Sequence, residues 1–420
     1  MFNKKKTDIA VVGAGPVGLI AAHALADRDM DFELFERTHH ANVNSYALAL
    51  LPETLILLEQ LGVLEPVLEQ SLQVKSIGIF DGEERRATMR YDDLATDYPF
   101  LAVIGQDELE TILIKSLREK GCKPRWRHRM RYAEETEDGL NITVDRLSPG
   151  MTGYAMAHID MEIDKVLDYH ARYLIGADGH NSAARRNAGI DFPEMAPARH
   201  YAIFEFRPET TLPDEMRIIV KDGRSHIFWP MPDGYCRWSF ETPEEDAINE
   251  TNEKDRLFVH VGARGFPLLE EERLREQLKE NAPWFDGTVK DFRWRMLVRF
   301  EQRLATSFGC GRTWLAGDAA HLAPPAGVLS MNVGMREAGD LVERLAYNAS
   351  DADRTAALDS YNEERRKEWR ALLDLDHHLH AKGAADPWLL KHKAALAGNI
   401  PATGDNLSAL LDQVRMTEEA

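Results

Sequence analysis

The sequence predicts an α/β fold, in which helices cover a mostly parallel sheet, together with a second domain rich in β-strands. Three stretches carry this prediction: residues 8–37, 173–186 and 313–338. In each of them a short apolar strand runs into a turn that contains glycine, and a helix follows, which is the repeating unit of parallel sheets. Because the three stretches lie far apart along the chain, we expect one domain to be assembled from separate segments.

The first stretch, DIAVVGAGPVGLIAAHALADRDMDFELFER, has the order strand, turn, helix, strand. Gly13 suits the tight turn out of the strand, Gly15 lets the backbone approach a phosphate, and Gly18 lets helix and sheet pack closely. The helix N-terminus offers free N–H groups and a positive dipole to a pyrophosphate. Glu36, at the end of the second strand, is placed to accept hydrogen bonds from ribose hydroxyls. We therefore predict a dinucleotide-binding site here.

Composition narrows the class of protein. A chain of 420 residues with 44% hydrophobic and 29% charged residues is typical of a globular protein with two domains. The net charge of −19 argues against nucleic acid or an anionic membrane as partner, because binding a polyanion needs a basic face. Three widely spaced cysteines suggest neither a disulfide framework nor a metal site, which suits a cytoplasmic protein. We also expect no targeting segment and no membrane span.

The second and third stretches each place a carboxylate at the end of a buried strand. Asp178 follows the strand in YLIGADGHNSAARR, at the sheet edge where open α/β folds bind ligands; the alternative is a turn in which Asp178 caps the next helix. Gly317 and Asp318 repeat the pattern in WLAGDAAHLAPPAG. A helix begins near Asn332, and its dipole favours negative charge that develops on a bound ring.

The motifs GAGPVG, GADGHNSAAR and WLAGDAAHLAPPAG, in this order, resemble those of the single-component FAD-dependent aromatic hydroxylases, the para-hydroxybenzoate hydroxylase-like flavoprotein monooxygenases. The resemblance covers about residues 1–350 and implies a Rossmann-like FAD-binding domain of the glutathione-reductase type. It implies FAD as cofactor, NADH or NADPH as co-substrate, and hydroxylation of a small or medium aromatic substrate by O₂ through a flavin C4a-hydroperoxide. The residues that it places at or near the FAD are Gly13, Gly15, Pro16, Val17, Gly18, Glu36, Arg37, Gln106, Met130, Asp178, Gly317, Asp318, Pro325, Gly327, Leu329, Ser330, Met331 and Asn332.

Two stretches depart from the family pattern. Members of the family carry an arginine after the second strand, near the phosphates of the flavin, and Tyr46 stands where we look for it. The loop beside the flavin is rich in glycine in the family, whereas this chain has Val328 and Ser330 there. We expect these side chains to alter the position or the mobility of the flavin.

The sequence further predicts a division of the chain into three parts. We expect the β-rich residues 73–99 and 195–290 to form a sheet that covers the substrate site. A long charged helix is expected over about residues 352–381. The protein is expected to be a monomer or a homodimer. The expected boundaries are 1–72, 100–194 and 291–350 for the FAD-binding domain, 73–99 and 195–290 for the substrate-binding sheet, and 351–420 for a C-terminal helical segment.

No residue identifies itself from the sequence as the general base for an aromatic substrate. His226, in SHIFWPMP, is the candidate, against the alternative of a histidine that only packs in or on the sheet. For the lining of the substrate pocket the sequence offers five candidates, each of which has an ordinary structural role as its alternative: Tyr46, Tyr201, Arg217, Phe228 and Trp229.

Other functions stay open at this point. A flavin-dependent halogenase would share the fold, but the sequence lacks the motif W-x-W-x-I-P. A flavin-dependent epoxidase, or an oxidase or dehydrogenase acting on a non-aromatic natural-product intermediate, would account for the altered flavin loop. A flavin-binding protein without catalytic activity is the alternative outside the enzymes.

Overall fold

A computed structural model describes residues 4–40, 48–150, 161–244, 257–259, 267–285, 287–323, 327–347, 350–373 and 379–418. Within these ranges the strands form two large sheets, one of eight strands and one of nine. No helix in the described ranges is long and apolar enough to cross a lipid bilayer. The predicted α/β class is confirmed.

Strand β1 (Lys5–Val12) lies inside the eight-stranded sheet. It pairs in parallel with β2 (Phe32–Glu36) on one side and with β11 (Met161–Gly176) on the other, and β11 pairs in parallel with β19 (Thr313–Leu315). Residues 9–12 are at most 5% exposed, as expected for a parallel strand that helices cover. The carboxyl ends of these strands meet at one edge of the sheet, which brings the three predicted motifs together.

Helix α1 (Pro16–Ala26) follows β1 across the predicted turn. Pro16 occupies its first position, where the missing N–H costs no hydrogen bond and the fixed φ angle suits a helix. The small alanine side chains let α1 pack closely against the helices at 106–119 and 329–346. The other elements of this domain are β3 (Ala49–Leu50), α2 (Pro52–Gln60), α3 (Leu64–Glu69), β4 (Leu72–Val74), β7 (Leu101–Val103), α4 (Gln106–Glu119), β8 (Arg125–Trp126), β9 (His128–Glu135), β10 (Leu140–Pro149), α5 (Ala183–Asn187), β18 (Gly309–Cys310) and α7 (Leu329–Ala346).

The β-rich part of the chain forms the nine-stranded sheet. The hairpin predicted around Asp81 and Gly82 is confirmed, since two antiparallel strands pair across it. The strands of this sheet are β5 (Ser76–Asp81), β6 (Glu84–Arg90), β12 (Glu194–Pro208), β13 (Met216–Lys221), β14 (Arg224–Pro230), β15 (Cys236–Thr242), β16 (Leu257–Val259), β17 (Val289–Leu304) and β20 (His321–Leu322).

The alternation of side chains along these strands gives the nine-stranded sheet two different faces. On one face Phe228 and Trp238 belong to an aromatic cluster that also buries leucines of helix α6 (Glu271–Asn281). The other face carries Ile203 and Met296, which lie opposite each other on β12 and β17 and form a separate cluster. The second face is the one that takes part in the site described below.

The C-terminal part differs from the prediction at one described segment. The long helix is described over Asp351–Leu373, and residues 379–381, which were expected to belong to it, form a strand. That strand pairs with residues 416–418, and such a pairing with a distant segment is set by tertiary structure rather than by local pattern. The elements here are α8 (Asp351–Leu373), β21 (Leu379–Ala381), α9 (Pro387–Lys391), α10 (Lys393–Leu396), α11 (Gly404–Gln413) and β22 (Met416–Glu418).

The packing of α4 on the first domain gives a test of this core. Leu113 is fully buried, whereas Lys115 on the same helix is exposed. We expect Leu113→Ala to lower the free energy of unfolding by about 2–5 kcal/mol, because it leaves a cavity. Lys115→Ala should change it by less than about 0.5 kcal/mol. Urea unfolding of the two variants measures the difference, and equal effects would contradict this packing.

Candidate functional site

A cavity of about 360 Å³ opens between the carboxyl edge of the first sheet and the second face of the nine-stranded sheet. Its walls come from the turn before α1, the start of α4, the segments that follow β11 and β19, the loop that enters α7, and β12 and β17. Among the predicted cofactor residues, those that line it are Gly15, Pro16, Val17, Gln106, Asp318, Leu329, Ser330 and Met331.

The glycines of the first motif have different tasks. A Cβ atom on Gly13 would lie 2.1 Å from the carbonyl oxygen of Ala177, and one on Gly18 would lie 1.9 Å from the carbonyl oxygen of Gly13. These two glycines therefore close the packing of the turn against its neighbours. A Cβ on Gly15 would meet no atom within 4 Å, and Gly15 lines the cavity. The turn thus leaves open space beside the N-terminus of α1, where a pyrophosphate fits.

Glu36 lies beside this turn at the end of β2. Its carboxylate accepts the backbone N–H of Ala14 at 2.8 Å and that of Thr38 at 2.9 Å. These bonds hold the acidic group next to the turn, as a ribose-binding role requires. Arg37 is exposed and Met130 is buried in the core, and neither lines the cavity.

Asp178 acts as a cap for the following helix. Its carboxylate accepts the backbone N–H groups of Ala183 at 2.6 Å and Ala184 at 3.1 Å, where α5 begins. Burial raises the pKa of Asp178. The neighbouring Gly179 and His180 line the cavity, so Asp178 shapes the wall through the backbone.

The turn that carries Gly317 and Asp318 is held from behind by Glu337 of α7. The Glu337 carboxylate accepts the N–H of Gly317 at 2.9 Å and the indole N–H of Trp369 at 2.6 Å, and it bonds to Nε2 of His321 at 2.8 Å. Glu337, His321 and Trp369 are 0% exposed, and the His321 ring stacks on Trp369 at 3.6 Å. Burial opposes ionisation of Glu337, but His321 and the donated hydrogen bonds keep its pKa below the ordinary value.

Asp318, in the same turn, lines the cavity. Burial raises the pKa of Asp318, and the nearby His321 and His180 oppose this rise. A carboxylate in this position, at the end of a strand and on the cavity wall, can accept hydrogen bonds from the hydroxyls of a bound sugar or polyol.

The loop that enters α7 has an unusual backbone. Val328 has φ 47° and ψ 26°, in the left-handed region that a β-branched residue rarely adopts. Asn332, which is fully buried, donates from its side chain to the carbonyls of Val328 and Ala49 and accepts the N–H of Leu51. The Ser330 hydroxyl accepts the N–H of Ala323 at 3.0 Å. Asn332 and Ser330 therefore hold the loop in place, and Pro325 and Tyr46 lie outside the described residues.

The second face of the nine-stranded sheet forms the apolar wall of the cavity. Its lining residues were missed in the sequence, although the alternation in WRMLVRFE on β17 is the signal that could have found them. The wall consists of Ile203, Trp294, Met296, Val298 and Phe300, and Arg299 and Glu301 lie at its charged end.

The strand register separates the substrate candidates. His226 pairs with Phe240, and Arg217 pairs with Phe228, so these side chains belong to the face that packs under α6, away from the cavity. Burial lowers the pKa of His226 to about 3. The structure thus places these candidates away from the cavity, contrary to the prediction. The sequence reveals the two-residue period of a strand, but it does not reveal which face of the sheet meets the cavity.

The two remaining candidates lie on the same face of the sheet as the apolar wall. Tyr201 is opposite Val298 and contacts the Phe300 ring edge-on at 5.7 Å. Trp229 is opposite Arg237 on the same face and is 3% exposed. Neither lines the cavity. Within the described ranges, no group of histidine, cysteine and acidic residues has a geometry that would hold a metal ion.

Comparisons with known proteins agree with this geometry. The family model described as "FAD binding domain" matches residues 6–376. The 3-(3-hydroxy-phenyl)propionate/3-hydroxycinnamic acid hydroxylase of Mycobacterium sp. (strain JLS) is 28% identical over 373 residues, which cover 88% of this chain and 59% of that protein. The para-nitrophenol 4-monooxygenase of Pseudomonas sp. (strain WBC-3) is 28% identical over 370 residues, which cover 86% of this chain and 82% of that protein. This chain thus spans less than two thirds of the hydroxylase and most of the monooxygenase.

Solved structures show the same fold. The crystal structure of p-nitrophenol 4-monooxygenase PnpA from Pseudomonas putida superimposes with a TM-score of 0.71 and 20% sequence identity. The superposition covers 98% of this chain and 99% of that one.

The buried Glu337 carboxylate predicts a pH dependence. Its folded pKa lies below the ordinary value of 4.5, so it stabilises the fold above that pH, and this contribution is lost as the pH falls through the folded pKa. We expect Glu337→Gln to lower the free energy of unfolding at pH 7 by about 2 kcal/mol. The difference from wild type should shrink toward pH 4, in urea unfolding measured at both pH values. Glu343→Gln, an exposed position on the same helix, is the control, and a difference that is constant with pH would contradict the assignment.

Proposed function

We propose that this chain, which belongs to the FAD-binding domain family, is an FAD-dependent monooxygenase that uses NADH or NADPH and O₂ to hydroxylate a small or medium aromatic substrate. The observation that carries the proposal is a single cavity whose walls join the dinucleotide turn at Gly15 to an apolar sheet face. That the protein is a monomer or a homodimer and lies in the cytoplasm stays a prediction.

The residues of the site fit FAD. The open space at Gly15 and the N-terminus of α1 would hold the pyrophosphate, Glu36 would hold the ribose, and Asp318 would accept hydrogen bonds from the ribityl chain. The backbone at the start of α7, including Met331, would lie along the isoalloxazine ring. When bound, FAD supplies the redox chemistry, and the protein supplies orientation, electrostatics and exclusion of water.

The apolar wall suits a flat aromatic substrate. Trp294 and Phe300 present ring surfaces, and Met296 adds an adaptable thioether between them. Such a wall excludes water from the space beside the isoalloxazine, and a dry site limits side reactions of activated oxygen. The phenol monooxygenases among the relatives agree with a substrate of this size.

The chain also offers donors for negative charge on the ring system. Helix α7 begins at Leu329 with a free N-terminus facing the cavity, and its dipole favours an anion there. The N–H groups at this helix start would stabilise negative charge on a bound flavin. His226 is not in a position to act as general base, and among the described residues His180 is the histidine on the cavity wall.

The first experiment is to purify the protein, record its visible spectrum and follow anaerobic reduction by NADH and NADPH with and without phenols. We expect a bound flavin whose reduction one class of phenol accelerates at least about tenfold, which corresponds to a barrier lowered by about 1.4 kcal/mol. With O₂ present, that phenol should gain one oxygen atom from ¹⁸O₂. A yellow protein that neither nicotinamide reduces would refute the proposal, and turnover with an artificial electron acceptor alone would indicate a dehydrogenase.

The position of the substrate wall gives a second test. Val298→Phe adds volume to the cavity face of β17, so we expect the KM for the phenol to rise about tenfold while the flavin spectrum stays unchanged. His226→Gln, on the opposite face of the sheet, should leave both quantities as they are. Steady-state kinetics of the two variants decide between the faces, and the reverse pattern would place the substrate under α6.

A further inference from the structure

Residues 379–418, called here the C-terminal clamp, lie beyond the part of the chain that the family model matches, which ends at residue 376. The clamp is closed on itself, because β21 pairs with β22. Its side chains Leu389, Leu396 and Leu410 are at most 2% exposed and belong to the main hydrophobic core. It is therefore an integral layer of the fold.

One side of the clamp is bonded to the second domain. The buried Tyr91 hydroxyl donates to the carbonyl of Pro401 at 2.5 Å. Arg86 forms a bidentate ion pair with Asp386, with nitrogen–oxygen distances of 2.9 and 3.0 Å. These contacts fix the clamp to the β5–β6 hairpin and the short helical turn after it.

The other side of the clamp contacts the first domain beside the cavity. Arg336 of α7 donates to the Thr403 hydroxyl at 3.2 Å. Gly327 packs so closely on the clamp that a Cβ atom there would lie 2.4 Å from the carbonyl oxygen of Gly398. Gly327 directly precedes residues 328–331, which line the cavity.

Asn399 connects these two sides. It follows Gly398, is 0% exposed, and donates from Nδ2 to the Ser225 hydroxyl at 3.0 Å and to the carbonyl of Ala395 at 2.6 Å. Ser225 belongs to β14 of the nine-stranded sheet and donates in turn to Ala395 at 3.1 Å. The buried side chain of Asn399 thus links the nine-stranded sheet to Gly398, the clamp residue that contacts Gly327 before the start of α7.

The cavity loop needs such support. A left-handed backbone at a valine is strained and persists only where its surroundings determine it. Asn332 holds Val328 from the helix side, and Gly398 blocks the loop from the clamp side. Loss of the clamp contact leaves the loop with only its helix side fixed.

We propose that the C-terminal clamp positions residues 327–331, where the chain enters α7, with Asn399 as the positioning residue, and so keeps the proposed oxygen chemistry coupled to the aromatic substrate. This inference rests on the proposed function. In the coupled reaction NAD(P)H, H⁺, O₂ and ArH give NAD(P)⁺, ArOH and H₂O. In the uncoupled reaction NAD(P)H, H⁺ and O₂ give NAD(P)⁺ and H₂O₂. A loosened loop admits water and shifts turnover from the first reaction to the second.

The test compares Asn399→Ala and Gly327→Ala with Lys382→Ala, an exposed clamp residue whose partner is Asp412. We expect Asn399→Ala and Gly327→Ala to raise both the ratio of H₂O₂ to hydroxylated product and the rate of FAD release. For Asn399→Ala the expected rise is about fivefold, the factor that corresponds to one lost hydrogen bond. Gly327→Ala should act in the same direction, because its Cβ atom would collide with the carbonyl oxygen of Gly398. Lys382→Ala should change neither quantity. If Asn399→Ala does not fold, Ser225→Ala removes the same tie with a smaller change.

The readouts separate the possible failures. If the wild type hydroxylates no aromatic compound, the proposed function fails, while FAD release from the variants still tests the clamp. If Asn399→Ala unfolds at lower urea concentration but keeps wild-type coupling and FAD release, the clamp only stabilises the fold and the inference is overturned.

Discussion

The carboxylate of Glu337 is buried without contact to solvent. It is bonded to Gly317 and His321 of one turn and to Trp369 of helix α8. A buried charge is tolerated only when its hydrogen-bonding partners are in place, so displacing any one of these three groups destabilises the contacts of the other two. Helix α7 carries both Glu337 and Asn332. It therefore fixes the turn at Asp318 and the loop at Val328 with one rigid element, and the cavity depends on that rigidity.

The nine-stranded sheet performs two tasks because its side chains alternate. One face is filled by aromatic rings. The rings of Trp238 and Phe240 stack there with their centroids 5.3 Å apart and an angle of 2° between their planes. The other face is left to the cavity. Beside Trp294 on that face lies the buried Arg237. Its guanidinium pairs with the Glu205 carboxylate at a nitrogen–oxygen distance of 2.7 Å, and its Cζ atom lies 4.6 Å from the centre of the Trp294 ring. The apolar wall is thus backed by a paired charge that sets the position of the tryptophan.

The clamp and the altered loop complement each other. Where the family pattern has glycines, this chain has Val328 in a left-handed conformation, and its side chain is buried. A glycine would adopt that backbone without strain, whereas valine requires contacts that hold it there. Asn332 bonds to Val328 itself, and Gly398 packs against the adjacent Gly327, which links the C-terminal part of the chain to the wall of the cavity.

The sequence by itself determined the α/β class, the family, and the parts of the site that local rules govern. The turn at Gly13 and Gly15 and the strand ends at Glu36 and Asp318 follow from steric and hydrogen-bonding demands within a few residues, so short motifs reveal them. Only the tertiary structure decided which face of the sheet meets the cavity. Helix α6 covers the face that carries His226, so the face that carries Met296 is the one that lines the cavity. The partners of Glu337 and Asn399 were likewise invisible in the sequence, since each joins segments that lie far apart along the chain and meet only when the chain is folded.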